Sequence, residues 1–471
     1  MRMISATLLL ALSLAGCAHH PPQPDVRTMA FPPLKFEVPG SQRFVLDNGI
    51  VVHLVEEHEL PVVNATLYVR TGSIYEPAEK TGLAALTGAV MRSGGAGRMS
   101  PDTLDAELEF ISSSVESSMG EDSGTVSFTT LRKNLDRTLE LFAAVVQNPS
   151  FAPDRLEQAR NRMLEGLRRQ NDDPKEIADR ELRRLVYLDS ALARIPTPRS
   201  VRGITRDDLV SFHRRFYRPD GMILAVSGDI TAAELREKLG RAFGGWERSA
   251  ADLPPVPPLA AEAKPGVYLV RRDIPQAVVR MGHLGVTKDS PDLYAVRVLD
   301  YILGGNGFNS RLMAEIRSRR GLTYHVSSNF EVGRRFPGLF QAETESASAT
   351  TGQAVGLMLQ IMKEMQQTEV TPGELELAKE SMINSFIFGF TRPDVVATQR
   401  ARLEYYGYPE GYLENFRERI AKVTAAEVRE AARKRLRPEA MLMVVVGNEK
   451  ELDRPLSEFG EVRELALPET R

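Results

Sequence analysis

The spacing of apolar positions changes along this chain, and the changes mark out its elements. Phe44-Val45-Leu46 and the run Ile50 to Val55 flank Asn48-Gly49, which predicts a β-hairpin with a type I′ turn. Val63 to Thr71 alternates in character and predicts a third strand. Gly82 to Arg92 is a run of small and apolar residues and predicts a helix. Thr125 to Leu131 reads as another strand. Leu135, Leu139, Phe142 and Val146 recur at helical spacing until Asn148-Pro149 stops them. A long helical tract runs from Pro153 to Gln170, and Met222 to Gly228 reads as a buried strand that closes this half.

Residues 248–265 hold Pro254, Pro255, Pro257, Pro258 and Pro265 and read as a linker. Beyond it the pattern starts again. Pro153, Leu156 and Ala159 match Pro372, Leu375 and Ala378; Pro174 matches Pro393; Thr205 matches Thr424; Arg218-Pro219 matches Arg437-Pro438. Every one of these pairs lies 219 positions apart. Earlier in each half the register drifts, with Pro61 and Pro275 separated by 214. One register held over that length marks an internal repeat. Strands early, helices in the middle and a strand late in each half suit two homologous α+β domains, each an antiparallel-rich sheet packed with helices. The expected boundaries are 36–250 and 266–458, with the linker at 251–265.

Composition adds compartment. The chain has 471 residues, 42% hydrophobic and 26% charged, which suits a globular protein of two or three domains. A formal net charge of −3 over that length argues against nucleic acid as a partner. The single cysteine excludes an intrachain disulfide. Its position is informative. Arg2, the short apolar run Ile4 to Leu14 and then Leu14-Ala15-Gly16-Cys17 resemble a bacterial lipobox, with residues 1–16 as signal peptide and Cys17 as the lipidated residue. Several acyl chains give stable membrane anchoring. Residues 17–35 are then a Pro-rich tether; His19 and His20 within it read as a solvated pair. Ala18 in place of Asp resembles the sorting signal for the outer membrane of a Gram-negative bacterium, facing the periplasm. No other run is long and apolar enough to predict a transmembrane helix.

The stretch Lys80 to Met91, Lys-Thr-Gly-Leu-Ala-Ala-Leu-Thr-Gly-Ala-Val-Met, resembles the active-site helix of the M16 peptidase family, the pitrilysin, insulinase and mitochondrial-processing-peptidase group. The resemblance covers about residues 40–450 and implies two M16-type (LuxS/MPP-like) domains. Active members read Gly-Leu-Ala-His-x-x-Glu-His-Met, in which two His at i and i+4 bind Zn²⁺ and the Glu activates water. On that frame the three functional positions fall on Ala85, Gly88 and Ala89, and none carries a ligand or a base. Glu165, 76 residues beyond Ala89, sits where the family's third ligand is found. One carboxylate does not hold zinc, and a helix Glu kept for packing or a salt bridge accounts for it. The seven His include no i, i+4 pair on a predicted helix and read as packing and surface residues. A self-sufficient metallopeptidase with other ligands is disfavoured on that ground.

The second half keeps another family feature. Leu303-Gly304-Gly305-Asn306-Gly307-Phe308-Asn309-Ser310-Arg311-Leu312 resembles the family's Gly-rich turn, and Arg317 with Gly321-Leu322-Thr323-Tyr324 resembles its Arg…Gly-x-x-Tyr element. By resemblance, Gly304, Gly305, Arg317 and Tyr324 contact peptide substrate. Independently of family, an always-charged guanidinium beside a neutral phenol makes a donor pair that suits a peptide carbonyl. A basic helix end, with Arg319 and Arg320 alongside, is the plainer alternative. The expected protein is a catalytically incomplete subunit with no cofactor of its own. It would form a heterodimer with a zinc-bearing M16B partner and supply Arg317 and Tyr324 to peptide proteolysis. A lipid-anchored peptide-binding or scaffold protein without a proteolytic role is the alternative.

Overall fold

The computed structural model describes residues 35–248, 254–259 and 263–468, and residues 38–471 group into one compact unit. Cys17, His19 and His20, the signal peptide, all but the last residue of the tether and part of the linker lie outside the described residues.

The first half builds a six-stranded sheet from β1 (Gln42–Val45), β2 (Val51–Glu56), β3 (Val62–Val69), β4 (Ser114–Met119), β5 (Gly124–Leu131) and β6 (Ile223–Gly228). Its order is β1-β2-β6-β3-β5-β4. The hairpin is present, but its turn is not type I′. Such a turn needs positive φ at both central residues, and here only Gly49 has it (φ 95°). Leu46 pairs with Ile50, and the Gly49 N–H closes back on the Leu46 carbonyl at 2.8 Å. The loop is therefore the three-residue, bulged kind ending on a left-handed glycine. Asn48 faces inward instead, its side-chain amide donating to the Phe243 carbonyl at 2.8 Å.

The second half repeats the plan with β7 (Gly266–Arg271), β8 (Gln276–Leu284), β10 (His325–Phe330), β12 (Leu339–Ala347), β13 (Leu442–Gly447) and β14 (Val462–Glu464) in the order β10-β12-β8-β13-β7-β14. Two short strands, β9 (Val286–Thr287) and β11 (Val332–Gly333), pair separately. β6 and β13, which the 219-residue repeat superposes, hold equivalent interior places and are buried at all six positions. A strand buried at every position needs cover on both faces.

Helices of the same half supply one cover: Leu83–Ser93, Leu135–Gln147 and Ala232–Phe243 in the first, Leu293–Asp300, Ser348–Gln367 and Ala425–Arg435 in the second. The other cover is exchanged. The helix Pro174–Val186, from the first half, lays Ile177, Ala178, Leu182 and Val186 against Val278, Val444 and Val446 of the second sheet. The helix Pro393–Tyr405, from the second half, lays Ala397, Ala401 and Tyr405 against Tyr68, Ile223 and Ala225 of the first. Both crossing helices begin with proline at their first turn, where a missing N–H costs nothing. Each ends in a tyrosine that bonds to the opposite half. The Tyr187 hydroxyl donates to the Pro337 carbonyl at 3.0 Å, and that of Tyr406 to Asp122 at 2.9 Å.

Two histidines are structural. His213 donates to the Val146 carbonyl at 2.9 Å and stacks on Tyr217; His283 lies between the Leu284 carbonyl and the Arg437 N–H. Burial pushes both down to about 4. The depressed value means that the neutral form is favoured only in the folded state. Its contribution is present above the unfolded value of about 6.5 and is lost as pH falls towards the folded value. Burial raises Glu76 to about 7, and that group acts in the opposite sense, so a difference measurement is needed. His213→Phe should be less stable than wild type at pH 7.5, and the deficit should shrink as pH falls towards 5. Thermal melts across that range check this; a deficit that does not vary with pH refutes it.

Candidate functional site

The helix Leu83–Ser93 starts from Gly82, a left-handed residue (φ 105°) that offers no side-chain cap. Glu76 does that work from a distance, accepting the N–H groups of Gly82 (3.1 Å) and Ala84 (2.5 Å). Arg194 in turn holds the Glu76 carbonyl at 2.7 Å. Along this helix Ala85 and Ala89 are exposed on one face, as their i, i+4 spacing requires. Gly88 is buried. A Cβ there would lie 2.5 Å from the Met119 nitrogen and 2.8 Å from the Ser118 carbonyl carbon, so β4 fills the space a side chain needs. The Ser117 hydroxyl closes the contact by donating to the Gly88 carbonyl at 2.6 Å.

These residues do not fit a zinc ion. Ala85 and Ala89 have no donor atoms, and a glutamate at 88 would collide with backbone. Glu165 sits on the helix Pro153–Arg169, 46% exposed, and pairs with Arg168 at 3.1 Å and Arg169 at 2.8 Å. The Arg168 hydrogen bond, with Arg169 behind it, holds its carboxyl below the usual range. The other described histidines are engaged elsewhere: His53 with Ser41 and Glu404, His58 with Asp229, His325 with Glu343. Among the described residues no three His, Cys, Asp or Glu side chains group as metal ligands.

The second half places its candidate residues on a segment of unusual backbone. The helix Leu293–Asp300 widens into a π-helical turn at Tyr301–Gly305, passes a short 3₁₀ turn at Gly307–Asn309, and enters a second π-helical stretch at Met313–Arg319. Such widened turns are frequent at functional sites. Gly304 is buried against β10, where a Cβ would meet the Ser328 nitrogen at 2.3 Å; Gly305 is at the surface. Beneath them Asp300 accepts from the Ser328 hydroxyl at 2.9 Å, and burial pushes it up to about 6. Gly304 therefore packs the turn, and of the two glycines only Gly305 is open to a ligand.

Arg317 and Tyr324 come together. The Arg317 guanidinium carbon lies 4.5 Å from the Tyr324 ring centroid and 4.7 Å from that of Phe308. Tyr324 is 81% and Phe308 65% exposed. The neighbouring arginines are neutralised: Arg311 by a two-pronged pair with Glu374 at 2.7 and 2.9 Å, Arg319 and Arg320 by Glu315. Arg317 alone of the four has no carboxylate partner among the described residues. This disfavours the plain basic helix end, in which all would be alike. Phe308 was not singled out from sequence. Its signal is a large aromatic ring set between Gly307 and Asn309 in an otherwise polar turn.

Two family profiles match in tandem: "Insulinase (Peptidase family M16)" over residues 51–195 and "Peptidase M16 inactive domain" over 203–382. The chain belongs to the M16 peptidase family. It is 27% identical over 403 residues to an uncharacterized zinc protease of Mycobacterium leprae, covering 83% of this chain and 88% of that one. It is 25% identical over 408 residues to the non-peptidase homolog YmxG of Helicobacter pylori, covering 84% and 91%. Among solved structures, the peptidase M16 inactive domain from Pseudomonas fluorescens matches with a TM-score of 0.79 at 26% identity, over 89% of this chain and all of that one. The periplasmic protease PqqL from Escherichia coli shares the fold, with a TM-score of 0.75 at 15% identity; the match spans 88% of this chain and 46% of PqqL.

Within this M16 chain, the closure at Gly88 makes a prediction. Gly88→Glu should destabilise by about 1–3 kcal/mol or more, because the new side chain meets backbone that cannot step aside. Ala85→His with Ala89→His should fold normally and gain zinc binding from an exposed i, i+4 pair, without peptidase activity. Melting curves and calorimetric zinc titration measure both. Wild-type stability of Gly88→Glu would show that β4 does not close this site.

Proposed function

We propose that this chain is a catalytically incomplete M16 subunit that presents Arg317 and Tyr324 to peptides in a chamber whose zinc is carried by a partner M16 subunit. The observation that carries the reading is a contrast within one molecule. The helix face that bears zinc in active relatives has no donors and is backed by β4 at Gly88. Tyr324 is exposed, the half-buried Arg317 guanidinium lies over its ring, and Arg317 has no carboxylate partner among the described residues. A guanidinium held this way costs solvation and side-chain freedom without a stabilising ion pair, which suits a group kept for binding. The lipobox at Cys17 supports attachment to a membrane on the periplasmic side, with Ala18 favouring the outer membrane.

The test is reconstitution. Proteins retained with the native chain from detergent extracts are identified, and the zinc-bearing M16 member is combined with purified chain. In the reconstituted pair Arg317→Ala should lower kcat/KM by about tenfold to a hundredfold, the effect of losing a charged hydrogen bond of about 1.5–3 kcal/mol. Tyr324→Phe should cost less, and Arg319→Ala, whose partner is Glu315, should change little. Wild-type rates in both Arg317→Ala and Tyr324→Phe mean that the pair is structural and the shared-chamber reading is wrong.

Anchoring is tested apart from chemistry. Cys17→Ser should abolish acyl labelling and release the chain from the membrane fraction or leave it as precursor. Unchanged labelling and fractionation would overturn the lipobox assignment.

A further inference from the structure

The stack around Arg317 restricts what it can recognise. The guanidinium is planar, and the Phe308 and Tyr324 rings lie 4.7 and 4.5 Å from its central carbon. The guanidinium carbon lies over both rings at once. Its planar fork of N–H donors makes no hydrogen bond and no ion pair among the described residues.

A rim of parallel N–H donors is matched by two coplanar acceptors on one group, the fork-to-fork geometry of a carboxylate. Charge points the same way. The three neighbouring arginines already have glutamates, whereas the charge of Arg317 is left for a partner outside the described residues. The Tyr324 hydroxyl, which makes no hydrogen bond among the described residues, adds a further donor beside the rim. Phe308 has little other reason for its place. It is 65% exposed, and it is turned back over Arg317 from Gly307, a left-handed residue (φ 50°).

We infer that Phe308, Arg317 and Tyr324 form a carboxylate-recognition site that takes a peptide's free C-terminus or an Asp/Glu side chain edge-on. Phe308 is a positioning residue that holds the guanidinium rim outward. The inference rests on the peptide-binding reading above and names the chemical group that the site selects.

The test uses the full chain and one short peptide in three forms: free C-terminus, C-terminal amide, and the amide carrying one added Asp. Fluorescence anisotropy should show at least one carboxylate-bearing form binding about tenfold or more tighter than the plain amide. Preference for the free terminus alone, or for the Asp form alone, identifies the source of the carboxylate. Arg317→Ala should erase the preference. Phe308→Leu, which keeps bulk but removes the ring face, should erase most of it, and Phe308→Tyr should retain it, with melting temperatures unchanged in both. If all three forms bind equally and Arg317→Ala weakens them alike, the carboxylate inference falls and the peptide-binding reading stands. If no form shows binding that depends on Arg317, both fall. If Phe308→Leu keeps the full preference, Phe308 is not a positioning residue.

Discussion

Each sheet of this molecule is covered on its second face by a helix that the chain supplies from its other half. That exchange is the constraint on which the rest depends. β6 and β13 are buried at every position, and separation of the halves would expose Val444 and Val446 on one side and Ile223 and Ala225 on the other. At about 25 cal/mol per Å² of apolar surface, such exposure is prohibitive for a fold whose net stability is only about 5–15 kcal/mol. The repeats are thus two halves by descent but one body by packing. Polar contacts follow the same route. Glu404, near the end of one crossing helix, receives both Arg43 and His53 from the first sheet, and burial pushes His53 below its usual value.

Much of this was legible in the sequence, because it is local. The helix Pro153–Arg169, the buried strand near 223 and the repeat were all carried by spacing and by prolines at helix starts. The exchange was not legible. The apolar stripe of the helix Pro174–Val186 shows that one face is buried, but nothing in a stripe names the sheet that buries it. The hairpin turn differs from the expected type I′ for a related reason: Asn48-Gly49 suits two loop lengths, and the long-range bond from Asn48 to Phe243 goes with the longer one.

The site divides in the same way. The lack of metal donors at Ala85, Gly88 and Ala89 is visible as letters, because a missing donor needs no geometry to be missed. The free state of Arg317 is not visible, since four arginines in ten residues look alike until their partners are placed. Glu374 lies 63 positions from Arg311, and only the fold brings them together. Phe308 escaped notice because an exposed aromatic ring acquires meaning only from what it covers.

The two halves also explain each other at a finer scale. In the second half the turn after the helix Leu293–Asp300 meets β10, an edge strand, through Gly304, whose absent side chain lets backbone approach backbone. In the first half the helix Leu83–Ser93 meets β4, the corresponding edge strand, through Gly88 in the same manner. Serine hydroxyls seal both contacts, Ser117 onto the Gly88 carbonyl and Ser328 onto Asp300. A glutamate at position 88 would require the helix to stand away from β4, so a catalytic base and this packing are alternatives at one residue. The first half has the packing. Its helix is joined to its sheet as the second half's is.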